Sequence, residues 1–124
     1  MILKTAKENR EIVANLSRKL SLGSENHIAR IAFAHSISKE KLNLLDIKNS
    51  GGKEYSKSVF FGDNYKLYTG LVSVKYNLHS SDKDIPRYIK LHVDNGLEEL
   101  NEMIAKNKIE DLNALLKIWS NFPQ

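Results

Sequence analysis

The segment between residues 25 and 38 constrains the fold of this chain most, because apolar side chains surround almost the whole circumference of a helix there. Ser24 is a favourable N-cap and Glu25 suits the positive end of the helix dipole, so we predict a helix from Glu25 to about Ser38. A short helix that is apolar all round is buried in its own domain or in an interface between subunits. Its apolar residues are Ile28, Ala29, Ile31, Ala32, Phe33, Ala34 and Ile37.

Four more helices are predicted from apolar residues at spacings of three and four. They cover about residues 6–21, 65–78, 84–106 and 109–120. Gly23 ends the helix at 6–21. Asp84 and Pro86 begin the helix at 84–106, and Gly96 within it marks a tight crossing or a kink. We therefore predict a single domain over residues 1–124 with a mainly α fold, a compact bundle of about five helices with little or no strand.

Two parts of the chain leave alternatives open. Between residues 39 and 62, Gly51 and Gly52 predict a turn, and Val59–Phe61 is either a short strand or the buried end of a loop. The first forty residues fit a plain helical hairpin or the ribbon-helix-helix order, in which two protomers pair their first strands and the ribbon enters the major groove. The only strand available for this, Ile2–Thr5, is very short, so the plain hairpin is favoured.

Composition and motifs exclude several classes of enzyme. The absence of cysteine excludes disulfides, thiolate zinc sites, iron–sulfur clusters ligated by this chain and a cysteine nucleophile. The sequence contains no phosphate-binding glycine loop, no Gly-x-Ser-x-Gly turn and no His-Glu-x-x-His motif. The histidines are scattered, and His92, on an apolar stripe, is expected to be a hydrogen-bonded core residue. We expect a non-catalytic protein with no metal and no cofactor.

The longest apolar region is too short and too polar to form a signal peptide or a membrane span. Lys4 follows three residues after the start, and Arg30, His35 and Ser36 interrupt the apolar residues between 28 and 37. The lack of cysteine fits a reducing compartment, and we expect a cytoplasmic protein.

Charge is distributed unevenly along the chain. Residues 1–62 contain 11 Lys and Arg against 6 Asp and Glu, whereas residues 63–124 contain 8 against 9. Such asymmetry indicates that one part of the surface meets a polyanion, although chance variation in solvated faces gives the same pattern. Tyr55 either stacks on an exposed base or anchors its loop to the core, and the second role is favoured. The candidate DNA-binding residues are Arg10, Arg18, Lys19, Lys39, Lys41, Lys48, Lys53 and Lys57.

Residues 20–36 (LSLGSENHIARIAFAHS) resemble the hallmark stretch of the DndE family of DNA sulfur modification proteins. Four further segments support this resemblance and extend it over nearly the whole chain. They are Gly51–Ser56, Phe60–Asp63, Asp82–Pro86 and Asn95–Leu97.

The resemblance implies a role in DNA phosphorothioation, in which sulfur replaces a non-bridging phosphate oxygen. It implies a homo-oligomer, a tetramer, that binds double-stranded DNA with a preference for nicks, while an iron–sulfur protein and an ATPase carry out the chemistry as partner subunits. Two alternatives stay open. One is a structural adaptor that joins these subunits through the acidic residues of positions 91–124, and the other is a ribbon-helix-helix repressor.

Overall fold

Five helices and two short strands make up the described part of the chain, which in this computed structural model comprises residues 2–20, 25–106 and 117. The strands are β1 (Ile2–Lys4) and β2 (Glu54–Ser56), and one turn of 3-10 helix lies at Lys7–Asn9 and another at Leu44–Asp46. The mainly α fold is confirmed. The helices are α1 (Arg10–Lys19), α2 (Glu25–Ile37), α3 (Lys57–Phe61), α4 (Tyr65–Tyr76) and α5 (Ile85–Ala105).

Helix α2 lies at the centre of the core, as its apolar circumference predicted. Its residues from Ile28 to Ser36 are all buried. Helix α5 packs directly against it, and a Cβ atom at Gly96 would lie only 2.0 Å from the carbonyl oxygen of Ala32. Gly96 therefore marks a tight helix crossing, because only a residue without a side chain lets the two backbones approach this closely.

Residues Val59–Phe61 lie in helix α3, so both predictions for them, a strand and a loop end, were wrong. Two polar side chains stabilise this single turn. The Ser56 hydroxyl accepts a hydrogen bond from the backbone N–H of Val59 (3.3 Å), which caps the start. The buried Arg30 guanidinium donates to the carbonyl oxygens of Phe60 (2.7 Å) and Val59 (2.8 Å), which lack helical partners at the end.

Strand β1 pairs with β2 of the same chain, in antiparallel register with Leu3 opposite Tyr55. This pairing argues against the ribbon-helix-helix repressor, in which the first strand pairs with its copy in a second protomer.

The buried carboxylate of Asp94 fixes the chain that follows β1. It accepts hydrogen bonds from the Ala6 backbone N–H (2.9 Å), the Asn9 side chain (2.9 Å) and the Lys90 ammonium (2.8 Å).

Most predicted helix boundaries are confirmed to within a few residues. The first helix starts later than predicted, because residues 7–9 form the 3-10 turn. The Asp84 side chain makes no capping bond and instead accepts a hydrogen bond from Arg87 (3.2 Å). The predicted cap Ser24, the terminator Gly23 and, apart from residue 117, the last predicted helix, about residues 109–120, lie outside the described residues.

His92 is a hydrogen-bonded core residue, as predicted. Its Nδ1 atom lies 2.7 Å from the Ser36 hydroxyl, and its Nε2 atom lies 2.6 Å from the Tyr76 hydroxyl. The Tyr76 hydroxyl also accepts a hydrogen bond from the backbone N–H of Leu42 (2.8 Å), which holds the loop after α2. Burial and, to a lesser extent, the nearby Lys75 ammonium lower the pKa of His92 to about 4, so the ring is neutral at physiological pH.

We expect Gly96→Ala to destabilise the protein by about 3 kcal/mol, because the new methyl group overlaps a backbone carbonyl that no side-chain rotation can move. Asn101→Ala is the control, since Asn101 is exposed on the same helix and alanine favours helix there. Urea unfolding measures both variants. Equal midpoints for Gly96→Ala and the parent protein would show that the crossing is looser than the structure indicates.

Stability should fall as the pH is lowered from 6.5 to about 4. In this pH window His92 is protonated in the unfolded chain but stays neutral in the folded chain. Lowering the pH therefore lowers the free energy of unfolding, by up to about 3 kcal/mol in total. Above pH 6.5 both states are neutral at this residue and the effect is absent. The measurement is the free energy of unfolding against pH, with His92→Gln as the reference. If the two proteins lose stability equally over this window, His92 does not cause the loss.

Candidate nucleic-acid interface

The structure distributes the eight predicted DNA-binding residues over three surfaces. The first is the α1 face, with Arg10, Arg18 and Lys19. The second is the α2–β2 loop, residues 38–52, which contains Lys39, Lys41 and Lys48. The third is the β2–α3 corner, with Lys53 and Lys57. All eight are exposed except Lys53, which is half-buried.

The α1 face presents two arginines on one side of the helix. Arg10 and Arg18 are eight residues apart, which places them about 12 Å apart along the axis with the small, exposed Ala14 between them. Val13 and Leu16 are fully buried on the opposite side and fix the orientation of the face. Arg18 donates to the Asn15 side chain (2.5 Å), and no ion pair joins this face to a carboxylate among the described residues.

The α2–β2 loop is partly neutralised by α5. Lys48 forms an ion pair with Glu98, and the Lys39 ammonium lies 3.8 Å from a carboxylate oxygen of Glu99. Glu98 and Glu99 therefore each have a cationic partner from another part of the chain. A phosphate would have to displace these carboxylates, so Lys39 and Lys48 are less available to DNA than their exposure suggests.

Buried His35 lies behind Glu99, with its Nε2 atom 3.7 Å from a carboxylate oxygen. Burial lowers the pKa of His35, the Lys39 charge lowers it further, and Glu99 partly opposes this. The neutral ring adds no charge to this surface at physiological pH.

The β2–α3 corner combines cations with an aromatic ring. The Lys57 ammonium lies 3.9 Å from the centre of the half-buried Tyr65 ring, a cation–π contact. Tyr55 is only 2% exposed, so base stacking on Tyr55 is excluded and its role as the anchor of the loop is confirmed. Sequence reasoning missed Tyr65, because its proximity to Lys57 follows from the turn between α3 and α4.

The Ser36–His92 pair has the spacing of a nucleophile and its base, but its setting is structural. Both residues are buried, and the second ring nitrogen of His92 contacts the Tyr76 hydroxyl instead of a carboxylate that would hold a charged ring. Within the described ranges, no three His, Asp or Glu side chains are grouped so that they could hold a metal ion. Nor is any described helix long and apolar enough to cross a membrane.

Comparison with known proteins identifies the family. The family model described as DNA sulphur modification protein DndE matches residues 2–108, and no curated protein matches the chain. Among solved structures, the crystal structure of DndE from Escherichia coli B7A, involved in DNA phosphorothioation modification, is similar in fold, with a TM-score of 0.65 and 19% sequence identity. The match covers 80% of this chain and 94% of that one. Since the family model spans most of the sequence, the chain belongs to the DndE family of DNA sulphur modification proteins.

Proposed function

We propose that this protein is the non-catalytic DNA-binding subunit of the phosphorothioation machinery and binds duplex DNA, preferentially at nicks, through surface Lys and Arg residues. The α1 face carries the proposal: two arginines project from one side of a helix on either side of an exposed alanine. Membership in a DNA sulphur modification family supports it.

The chemistry of the α1 face suits the phosphate backbone. Arginine guanidinium groups bind phosphate oxygens with two parallel hydrogen bonds. Ala14 is small, so a sugar–phosphate strand is able to approach the helix between Arg10 and Arg18. Contacts of this kind read charge and shape without reading bases, so we expect strong salt dependence and little sequence preference.

The β2–α3 corner supplies a reason for the nick preference. At a nick the terminal bases unstack more easily than in intact duplex, and an aromatic ring offers a stacking surface for them. Tyr65 has such a ring, and the Lys57 ammonium that lies over one face of it would move from the ring to the adjoining phosphate when a base stacks on that face. We assign the stacking role to Tyr65 in place of the buried Tyr55.

Membership in the DndE family supports a proposal about the wider assembly. We propose that the protein acts in the cytoplasm as a homo-oligomer, a tetramer, together with the iron–sulfur protein and the ATPase of the system.

A structural adaptor that joins these subunits is the second candidate function. The pairing of Lys39 and Lys48 with Glu99 and Glu98 favours it on that side of the molecule, because the paired charges suit a protein surface better than DNA. Co-purification that survives nuclease treatment, with no DNA binding by the isolated protein, would support the adaptor.

We expect the double variant Arg10→Gln, Arg18→Gln to weaken DNA binding and to flatten its salt dependence. Loss of two phosphate contacts should reduce the slope of log K against log salt by about 1.8. The measurement is equilibrium binding to one nicked duplex across a salt series.

The matched control is Lys39→Gln, Lys48→Gln, which removes the same formal charge from the surface already paired with α5. We expect its slope to stay close to that of the parent protein. Equal losses in the two double variants would show that net charge, and not the α1 face, governs binding.

Tyr65→Leu should lower the preference for nicked over intact duplex by about five-fold or more, because stacking on an aromatic ring contributes roughly 1–3 kcal/mol per base. Leucine keeps the apolar contact with Phe61, whose ring centre lies 4.9 Å from that of Tyr65. Lys57→Gln serves as the comparison and should weaken binding to both duplexes alike. An unchanged ratio of the two affinities in Tyr65→Leu would remove Tyr65 from the site.

A further inference from the structure

A polar cleft, here called the α2–α5 cleft, lies between the end of α2, the start of the α2–β2 loop and α5. Its volume is about 530 Å³, which is within the range of roughly 300–1,000 Å³ typical of small-ligand sites. Its wall combines two carboxylates, an ammonium group, two uncharged polar side chains and one apolar side chain. The described residues that line it are Ser36, Lys39, Glu40, Leu42, Asn95 and Glu99.

The two carboxylates of the α2–α5 cleft have unused capacity to accept hydrogen bonds. Glu99 accepts one from the Asn95 side chain through its Oε1 atom (2.8 Å). Its Oε2 atom lies 3.8 Å from the Lys39 ammonium, which is an electrostatic contact but exceeds hydrogen-bond distance. The exposed side chain of Glu40 forms no ion pair or hydrogen bond with a described residue. Both carboxylates can therefore bind a further donor.

Buried His35 adds an unsatisfied ring nitrogen next to Glu99. The His35 side chain is only 6% exposed, and its Nε2 atom has no hydrogen-bond partner among the described residues. This atom points to the Glu99 carboxylate, but the 3.7 Å between Nε2 and Oε1 is too long for a hydrogen bond. A buried polar atom without a partner is unfavourable, so a donor that reaches it gains stability. The Glu99 side chain is partly exposed and can turn to open this path.

The charges of the α2–α5 cleft favour a ligand with a single positive charge. Two carboxylates stand against one ammonium, and the neighbouring His35 ring is neutral because burial lowers its pKa. A phosphate would be repelled by the carboxylates. A guanidinium group fits best, because its planar fork binds a carboxylate with two parallel hydrogen bonds and keeps further N–H groups for another acceptor. Leu42 offers an apolar contact to the aliphatic chain that carries such a group.

We propose that the α2–α5 cleft binds a guanidinium group, which pairs with Glu99 and donates to the neutral His35 ring. The group belongs to a free guanidino compound or to an arginine side chain of a partner protein, and the chemistry at the cleft is the same for both. The inference does not depend on DNA binding, because it rests on the cleft alone.

The test is a titration of the full-length protein with agmatine and with N-acetylarginine amide, followed by NMR of the Asn95 side-chain amide, which bonds to Glu99. We expect saturable shifts of this signal. N-acetylcitrulline amide has nearly the same shape without the charge, and it should not bind. Binding of agmatine indicates a free compound, whereas binding of N-acetylarginine amide alone indicates an arginine residue. Failure of both at millimolar concentration, or equal binding of the citrulline compound, overturns the proposal.

Glu99→Gln distinguishes the α2–α5 cleft from other acidic surfaces. Glutamine keeps the shape and still accepts from Asn95, but it lacks the charge, so affinity for the guanidino probe should fall about ten-fold or more. Glu98→Gln is the matched control, because Glu98 pairs with Lys48 and is not among the residues that line the cleft. Its affinity should stay close to that of the parent protein. Equal losses in both variants, or no loss in Glu99→Gln, would show that the probe binds elsewhere.

The pKa of His35 supplies an independent readout. A cation that donates to Nε2 opposes protonation of the ring, so saturation with the probe should lower the His35 pKa further, as NMR of the ring signals measures. The pKa of exposed His79 is the internal control and should not change. If the probe binds and the pKa of His35 stays the same, the ring nitrogen is not part of the site and the proposal is wrong.

Discussion

The contact between Gly96 and Ala32 is the constraint on which the rest of the structure depends. It brings the backbones of α5 and α2 so close that no side chain fits between them. Because the two helices run in opposite directions from this point, Ser36 comes to face His92 and Asn95. The neutral ring of His92 then links α2 to Tyr76 of α4, and Tyr76 holds the loop after α2 through the backbone of Leu42. One close approach in the apolar core thus determines a polar network that joins three helices and a loop.

A second polar contact of α5 positions the N-terminal part of the chain. The Lys90–Asp94 ion pair is buried, and burial of such a pair is costly unless each charge is fully hydrogen bonded. Asp94 meets this requirement with the Ala6 backbone and Asn9, and Lys90 meets it with the carbonyl oxygen of Asn49. The segment that leads into α1 and the loop that leads into β2 are therefore tied to the same turn of α5. This arrangement fixes how the α1 face is presented.

The sequence was sufficient to predict elements whose signals are local. Periodicity located α1, α2, α4 and α5, and a glycine within a helical pattern indicated the tight crossing. Helix α3 could not be predicted in this way, because Arg30 completes it from 29 and 30 residues away. The pairing of β1 with β2 also joins residues that are far apart along the chain. Only the fold determines whether a short first strand pairs within the chain or across a dimer.

The same distinction applies to the candidate interface. The excess of basic residues in positions 1–62 predicted a cationic surface, but residues that belong to different halves of the sequence can be neighbours in the structure. Helix α5, from the acidic half, places Glu98 and Glu99 against Lys48 and Lys39 of the basic half. Removal of these two lysines from the strongest candidates leaves Lys41 in the α2–β2 loop and cations at two other places, the α1 face and the β2–α3 corner. Lys7 connects the segments that lead to these two places: its backbone N–H donates to the Asn49 side chain (2.7 Å) in the loop that leads into β2, and its 3-10 turn leads into α1. The exposed side chain of Lys7 therefore adds a positive charge where the two segments meet.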